Sequence, residues 1–566
     1  MTSFLITTKE ELTDMTLLSQ TWDNSNIKLI ETGETLCYLQ WDETLKDEAY
    51  YFEENSSWIY AVGTFFYKDF SFSDSLKFVL SDFAQDKLSN EEMYGHYVLL
   101  IYHDQKFHLL NDALGAIRLF SNAEKTRFST SFLGLWFSQP QTLQLNQWAV
   151  YEKIAKGYIC APDTLVETIK DSTYEAFQLP FLIKHPNPET VYQKGTQSAD
   201  YQISEIKKYY NRVFNLAEGK SISLGISGGF DSRMLMGLLQ NYPNPYLFTH
   251  HTKGIHSNEK VIAQKLTESI GQKLHIKETP KADTLNPKEA EKLFKDLIYY
   301  YDGRTANNSG AFSITGTKEY NLFHLKEQVI GLNGKGGEVY RNYYNIANRS
   351  YSFQDWFTAL ELYSSADFVF NTEQKKQLLG KIHDKIRNRL SVEKNWSRWH
   401  IQRYYSEIRQ ADCEASILSA HNKITRYIAP FLDAKLLKIA YQSYSIAGGD
   451  SSFQMKMIQK LNPKLAAINS NYGHNFMKIP LKLKIKESLV KSMPLKFRTE
   501  RLKKVIKKAD DLPLSETEKQ ALSFLKAHFP DINVDYCFSH YAQKNVVTNL
   551  AYLLMEAQRL NKIMLQ

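Results

Sequence analysis

The stretch Ser221-Ile-Ser-Leu-Gly-Ile-Ser-Gly-Gly-Phe-Asp-Ser-Arg-Met-Leu-Met-Gly-Leu-Leu239 sets the fold class of this chain. Ile222, Leu224 and Ile226 alternate with small or polar residues, the pattern of a short buried strand. Ser227-Gly228-Gly229 follows, and paired glycines allow backbone angles and close ligand approach that other residues refuse. Asp231-Ser232 and then Met234, Leu235, Leu238 and Leu239 mark a helix start and its apolar face. Strand, glycine turn and helix start together form an anion cradle, because free N–H groups and the helix dipole converge on one point. No Lys follows the glycines, so the pattern is not GxxxxGK[ST].

Around this unit the chain alternates strand and helix. Ile203–Leu216 predicts an amphipathic helix leading into it, and 241–245 a loop leading out. Tyr246-Leu-Phe-Thr249 predicts a second strand, 256–266 a helix with Glu259 in its first turn, and Leu274-His-Ile276 a third strand. His250, His251 and His256 have no acid or Cys at supporting spacing, so a strand end lining a pocket is favoured over a metal site. The run Val329-Ile-Gly-Leu-Asn-Gly-Lys-Gly-Gly-Glu338 repeats the theme, an apolar strand entering Gly334, Gly336 and Gly337 and ending in an acid.

Residues 1–195 read as β-rich, with strands expected at 35–40, 58–66, 97–102, 107–110 and 127–129 and helices at 76–84 and 145–155. Residues 352–566 read as largely helical. At 566 residues two or more domains are expected. The composition, 43% hydrophobic and 23% charged, is that of a soluble globular chain. No apolar run is long enough to span a bilayer, and the start lacks a signal-peptide pattern, so no membrane partner is expected. Four scattered cysteines read as reduced thiols in a cytoplasmic protein. The net charge of +7 is concentrated in 478–508, where twelve Lys or Arg face only Glu487 and Glu500. That stretch is a solvated helical face, a cradle for phosphates or an acidic substrate, or a surface for RNA or anionic lipid. Aromatic interleaving stops at Phe497, which leaves nucleic acid the weakest of these.

The segment SGGFDSR, Ser227 to Arg233, resembles the pyrophosphate-binding loop of the ATP pyrophosphatases, and the trailing Arg233 with the downstream motifs points to the asparagine synthetase superfamily, kin to β-lactam synthetases and lasso-peptide cyclases. The resemblance implies an α/β architecture in two parts. Residues 1–195 would form an α+β sandwich of the N-terminal-nucleophile type, and 196–566 a doubly wound parallel-sheet ATP pyrophosphatase domain with a helical C-terminal extension. The stretches 94–104, 107–115, 118–120 and 128–131 resemble the later half of a class II glutamine amidotransferase domain. Such glutaminases attack with a Cys at the mature N-terminus. Here the chain starts Met1-Thr2-Ser3 and Cys37 is internal, so the domain is expected to be a scaffold without glutaminase activity, open to packing, dimerisation or substrate docking.

The same resemblance implies ATP and Mg²⁺ as cofactors. Nucleotide would be held by Leu224, Ser227, Gly228, Gly229, Asp231, Ser232, Thr249, Asn333 and Gly334, with Ser257-Asn258-Glu259…Ala263 matching the family's second helix. The run 329–338 is similar to "SGxGxDE", which makes Asp231 and Glu338 the metal carboxylates; Mg²⁺ suits one or two carboxylates completed by phosphate and water. Lys335 stands where relatives carry an acid or Tyr, and Val339 replaces their second acid. Asp302 and Arg304 are implied as substrate contacts. Ala429–Leu437 is similar to "R-x-P-F-L-D-x-x-L", with Ile428 in place of the Arg. Relatives carry a catalytic Lys eight residues beyond a Pro; here that count from Pro463 reaches Asn471, leaving Lys478 or Lys335, beside Arg233, as catalytic candidates. The implied activity is adenylation of a small-molecule or peptide carboxylate, pyrophosphate release, and transfer to ammonia or an amine. The alternatives are activation of a different oxygen and a nucleotide-binding scaffold without transfer chemistry.

Overall fold

The computed structural model describes residues 2–11, 13–22, 26–41, 50–174, 198–217, 219–243, 245–252, 258–279, 286–304, 316–325, 329–392, 395–446, 451–504, 506–539 and 541–565. Its amino-terminal part holds two antiparallel sheets. One runs in the order Ile169–Asp171, Phe120–Asn122, Phe128–Ser129, Ser3–Thr8, Thr35–Trp41, Asn26–Thr32. The other runs Tyr51–Glu54, Ser57–Tyr67, Met93–His103, Lys106–Asn111. Phe4, Ile6, Cys37 and Leu39 of the first meet Trp58, Tyr60, Val62 and Val98 of the second. The opposite face of the second sheet, with Ile59, Ala61 and Phe65, packs on Leu76, Val79 and Leu80 of the helix Phe72–Ala84. Burial on both faces explains why Ser57–Tyr67 is apolar almost throughout rather than alternating. Gly95 takes φ +103°, and a Cβ there would stand 2.3 Å from the Thr64 carbonyl oxygen, so only glycine lets these strands pair.

The helix Ala199–Leu216 leads into the second half. There β1 (Ser221–Gly225), β2 (Tyr246–Thr252), β3 (Leu274–Thr279), β4 (Val329–Leu332) and β5 (Arg426–Ile428) form one sheet, ordered β3-β2-β1-β4-β5 with every pair parallel. α1 (Phe230–Leu239) follows β1, and the helices Asn258–Ser269 and Pro287–Tyr300 follow β2 and β3. The strand order turns around at β1, which lies between β2 and β4; in open parallel sheets such a switch point opens a crevice at the carboxyl ends of the strands.

Beyond residue 352 helices dominate, including Thr372–Leu390, Ser452–Leu461 and Tyr541–Arg559, with an eleven-residue π-helix at Tyr404–Glu414. The last strand, Ile563–Met564, returns to pair with Leu143–Gln144. Gln147–Lys156, an amino-terminal helix, is embedded in this helical part: Tyr151 packs 5.5 Å from Phe370, and Gln543 Nε2 donates to the Ile154 carbonyl at 3.1 Å. Beside those two amino-terminal clusters, one large apolar core runs from Leu5 and Trp22 through Ile222 to Leu553. The expected 195/196 boundary lies outside the described residues.

Asp433, from the P-F-L-D element, accepts from the Gly95 N–H at 2.9 Å and the Tyr209 hydroxyl at 3.0 Å. Thr64 Oγ1 donates to Asn422 at 2.6 Å, and Arg426 to the Gly63 carbonyl at 3.1 Å. Asn422, Arg426 and Asp433 therefore clamp the second antiparallel sheet to the parallel one. Among the described residues no helix is long and apolar enough to cross a membrane. All four cysteines are free and buried, and burial pushes the Cys37 thiol far up, away from nucleophilic use.

Candidate active site

A cleft of about 380 Å³ opens over the carboxyl ends of β1, β2 and β4. Ser227, Thr249, Asn333 and Gly334, all expected to bind nucleotide, line it together with Glu259. Leu224, also expected there, points its side chain into the core at 1% exposure; the two-residue period of β1 turns Ser223 and Gly225 to the cleft instead. Ser257 lies outside the described residues.

The loop between β1 and α1 is held from within. Ser232 Oγ accepts from the Ser227 N–H at 3.1 Å and lies 3.0 Å from Ser227 Oγ, so this hydroxyl braces the loop. The N-cap of α1 is Gly229, and no side chain caps the helix. Most helices of this protein carry a Ser, Asn, Asp or Thr cap, as Asn286 does on Pro287–Tyr300. α1 instead begins with backbone N–H groups and the positive end of its dipole open to a ligand. Gly228 has Asn471 pressed against it: a Cβ would stand 1.9 Å from Asn471 Oδ1. Asn471 Nδ2 donates to Glu259 at 2.8 Å. The position eight residues past Pro463 thus does reach the loop, carrying an amide.

Neither Asp231 nor Glu338 lines the cleft; Asp231 packs behind Gly334, which does, and a Cβ on Gly334 would stand 3.1 Å from that of Asp231. Gln454 Nε2 donates to Asp231 at 3.1 Å and to the Gly337 carbonyl at 2.8 Å, and Arg341 lies 3.6 Å from the same carboxylate. Burial and the neighbouring charge of Glu338 hold the Asp231 carboxyl well above the usual carboxylate range, with Arg341 and Gln454 pulling the other way. Two acids sharing one small volume with one cation beside them form a site short of positive charge. Among the described residues no group of three or more His, Cys, Asp or Glu could hold a metal, so this carboxylate pair stands without a third such ligand.

The three catalytic candidates fall in three different settings. Arg233 is fully buried and spends its guanidinium on the carbonyls of Leu465 at 3.0 Å, Ile468 at 2.7 Å and Gly228 at 3.3 Å. It stacks 4.4 Å over the Phe476 ring and does not line the cleft; the helical period carries the fourth residue after the N-cap to the inner face. Lys335 forms an ion pair with Glu414 at the end of the π-helix; burial opposes its charge, and Glu414 and Glu338 outweigh that and hold its pKa above the ordinary value. Lys478 is exposed and does not line the cleft; two residues before it, the Phe476 carbonyl accepts from Gln459 Nε2 at 2.6 Å. Asp302, expected at the substrate, is a helix-capping acid. It accepts from Ser131 Oγ at 2.7 Å and from the N–H groups of Phe132 and Leu133 at 2.5 and 3.1 Å.

Three histidines line the cleft that sequence reasoning did not assign to it as a set: His250, His324 and His421. His324 stacks on Phe248 at 3.8 Å, and His250 and His421 accept or donate at 2.7 Å with Tyr320 and Tyr300. Burial pushes their pKa values down to about 4, 2 and 3 in chain order, so all are neutral near pH 7. Gln454 and Arg341 were missed as well; Arg341, three residues past Glu338, carried the one local signal, a cation spaced to meet an acid. A scan against protein-family models matched none, and a search of curated proteins found no match.

Proposed function

We propose that this protein is an ATP-dependent amide-bond-forming synthetase of the asparagine synthetase kind, without a glutaminase of its own. The observation that carries the proposal is the meeting of an uncapped helix start, a carboxylate pair and a cleft at the switch point of a parallel sheet. ATP with Mg²⁺ would supply an activated phosphorus for a substrate carboxylate oxygen, with pyrophosphate as leaving group.

The chain's own residues fit those parts. The N–H groups at the start of α1 are suited to the pyrophosphate end. Asp231 and Glu338 are suited to the cation, whose charge would relieve their mutual repulsion. Gly337 leaves room for this arrangement, since a Cβ there would stand 2.2 Å from Asp231 Oδ1. Phe248, Thr249 and Asn333 form walls for a nucleoside, and the neutral histidines add stacking surface without extra charge. The resemblance of 227–233 and 329–338 to the synthetase motifs supports the same assignment. Fold assignment at the level of an N-terminal-nucleophile sandwich joined to an ATP pyrophosphatase domain belongs to this proposal too.

The test is pyrophosphate release from ATP and Mg²⁺ with panels of carboxylates, comparing ammonium, simple amines and glutamine. Release that needs ammonium or an amine and ignores glutamine is the expected result. Unchanged turnover in Asp231→Asn would remove the metal assignment. One observation favours a second reading, a nucleotide-binding scaffold: Lys335 is engaged by Glu414 and Lys478 stands outside the cleft. ATP binding without pyrophosphate release across all panels would establish that reading in place of the first.

A further inference from the structure

The helix Leu481–Ser492 turns an apolar stripe to solvent rather than to the core. At about 100° per residue, Leu481, Ile485 and Leu489 fall within an arc of about 80°. Each is more than half exposed, and no residue of this helix is buried. Ser492 shares the arc, but its hydroxyl is spent within the helix, on the carbonyls of Ser488 and Leu489 at 3.0 and 3.1 Å. Lys482 and Lys486 flank the stripe on one side, and Lys484 and Lys491 on the other. Among the described residues none of these four lysines forms an ion pair. Glu487, the one acid of the helix, lies on the opposite side. Leu483 and Val490, also opposite the stripe, are half-buried, and Arg498 of the next helix, Leu495–Lys503, donates to the Val490 carbonyl at 2.5 Å. The protein thus uses one side of this helix and leaves the other, apolar and rimmed by lysine, unpartnered.

We propose that this stripe docks on the surface of an anionic bilayer. Leu481, Ile485 and Leu489 enter the boundary between headgroups and acyl chains, and the flanking lysines meet lipid phosphates. A helix with one apolar face rimmed by lysine lies in the interface plane, and needs no membrane-spanning length to do so. Lysine stems run along the apolar surface while their ammonium groups reach outward. Charge complementarity points to the same partner. Twelve Lys or Arg stand in 478–508 against Glu487 and Glu500, while the rest of the chain carries a slight net negative charge. An anionic surface therefore attracts this segment above all others. Met477 before the helix and Phe497 after it are half or more exposed and extend the apolar surface. The four-residue steps of the stripe drift around this twelve-residue helix instead of repeating the 3–4 alternation of a coiled-coil seam. A yielding lipid surface suits such a ridge better than a partner helix.

The experiment uses the full chain without ATP, so its outcome is independent of the proposed synthetase activity. Co-sedimentation is measured with phosphatidylcholine vesicles that contain or lack phosphatidylglycerol. Binding is expected to need the anionic lipid and to weaken as salt screens it. Leu489→Glu should weaken it by roughly tenfold or more, and Lys484→Gln and Lys486→Gln by about fivefold each. All four cysteines are buried, so Ser492→Cys adds one exposed thiol within the stripe. An environment-sensitive fluorophore on that thiol should shift to shorter wavelength with anionic vesicles and be quenched by spin-labelled lipid. This readout leaves the three apolar residues and the four lysines intact. No binding to anionic vesicles, equal binding to neutral ones, undiminished binding in folded Leu489→Glu, or an unshifted fluorophore would each overturn the proposal. Binding of polyglutamate without any binding of vesicles would overturn it in favour of an acidic polypeptide.

Discussion

Gly337 and Asp231 show how little space the carboxylate site has to spare. Gly337→Ala puts a methyl group where Asp231 Oδ1 now lies, so the carboxylate must swing away. We expect Mg²⁺-dependent ATP binding to weaken by roughly tenfold or more while thermal stability changes little, measured by calorimetry beside a melting curve. Wild-type affinity in this variant would show that Asp231 is no ligand. The cleft histidines make a separate prediction. His324 and His421 are depressed from 6.5 to about 2 and 3, so the folded state favours their neutral forms. Their contribution to stability is fully present above pH 6.5 and is lost as pH falls toward the folded values. Each such histidine costs at most about 1.4 kcal/mol per pH unit in that window. Urea midpoints should therefore drop between neutral and acid pH, and drop less in His324→Asn. An equal drop in both proteins would refute the assignment.

At the scale of elements, the glycine loop is held from behind by Arg233, whose guanidinium bridges it to the carbonyls around Leu465 and Ile468. Arg233→Met leaves several carbonyls without donors. It is expected to cost about 3 kcal/mol and to speed hydrogen exchange at 227–229, with nucleotide affinity falling as a consequence. Unaltered exchange would mean the loop is set by Ser232 alone. The basic helix Leu481–Ser492 is the opposite case. None of its residues is buried, and Leu481 and Leu489 are 73% and 65% exposed. Leu489→Glu should leave stability within about 0.5 kcal/mol of wild type, read from denaturant unfolding. Exposure by itself fits each of the three readings of the stretch.

Across the whole molecule, charge and hydrogen bonds join the two halves alongside the apolar core. Arg118, 1% exposed, pairs with Asp171 at 2.5 Å and with Asp412 of the π-helix at 3.3 Å. Arg118→Met strands the buried Asp171 carboxylate, while Asp412 keeps Arg389 at 2.8 Å, and the expected loss is about 3 kcal/mol. Because one core runs through both halves, fluorescence and circular dichroism should report a single shifted transition. Two separated transitions would show that the halves unfold independently.

Local pattern alone was enough for the alternation of strand and helix around 221–239, the second glycine run ending at Glu338, and five of the amino-terminal strands, but not for Ser3–Thr8, Asn26–Thr32, Tyr51–Glu54, Phe120–Asn122 or Ile169–Asp171. Those features are legible because burial imposes a period of two or 3.6 on neighbouring residues and because glycine marks backbone that no other residue allows. Asp302, Arg233 and Lys478 could not be placed that way. Asp302 caps a helix 170 residues earlier in the chain, Arg233 meets carbonyls more than 230 residues later, and Lys478 is exposed away from the cleft. The role of a polar side chain depends on which distant backbone groups the fold brings to it. The sequence determined the strand, the glycine turn and the helix start; only the tertiary structure decided which charges face the cleft and which are consumed in holding it together.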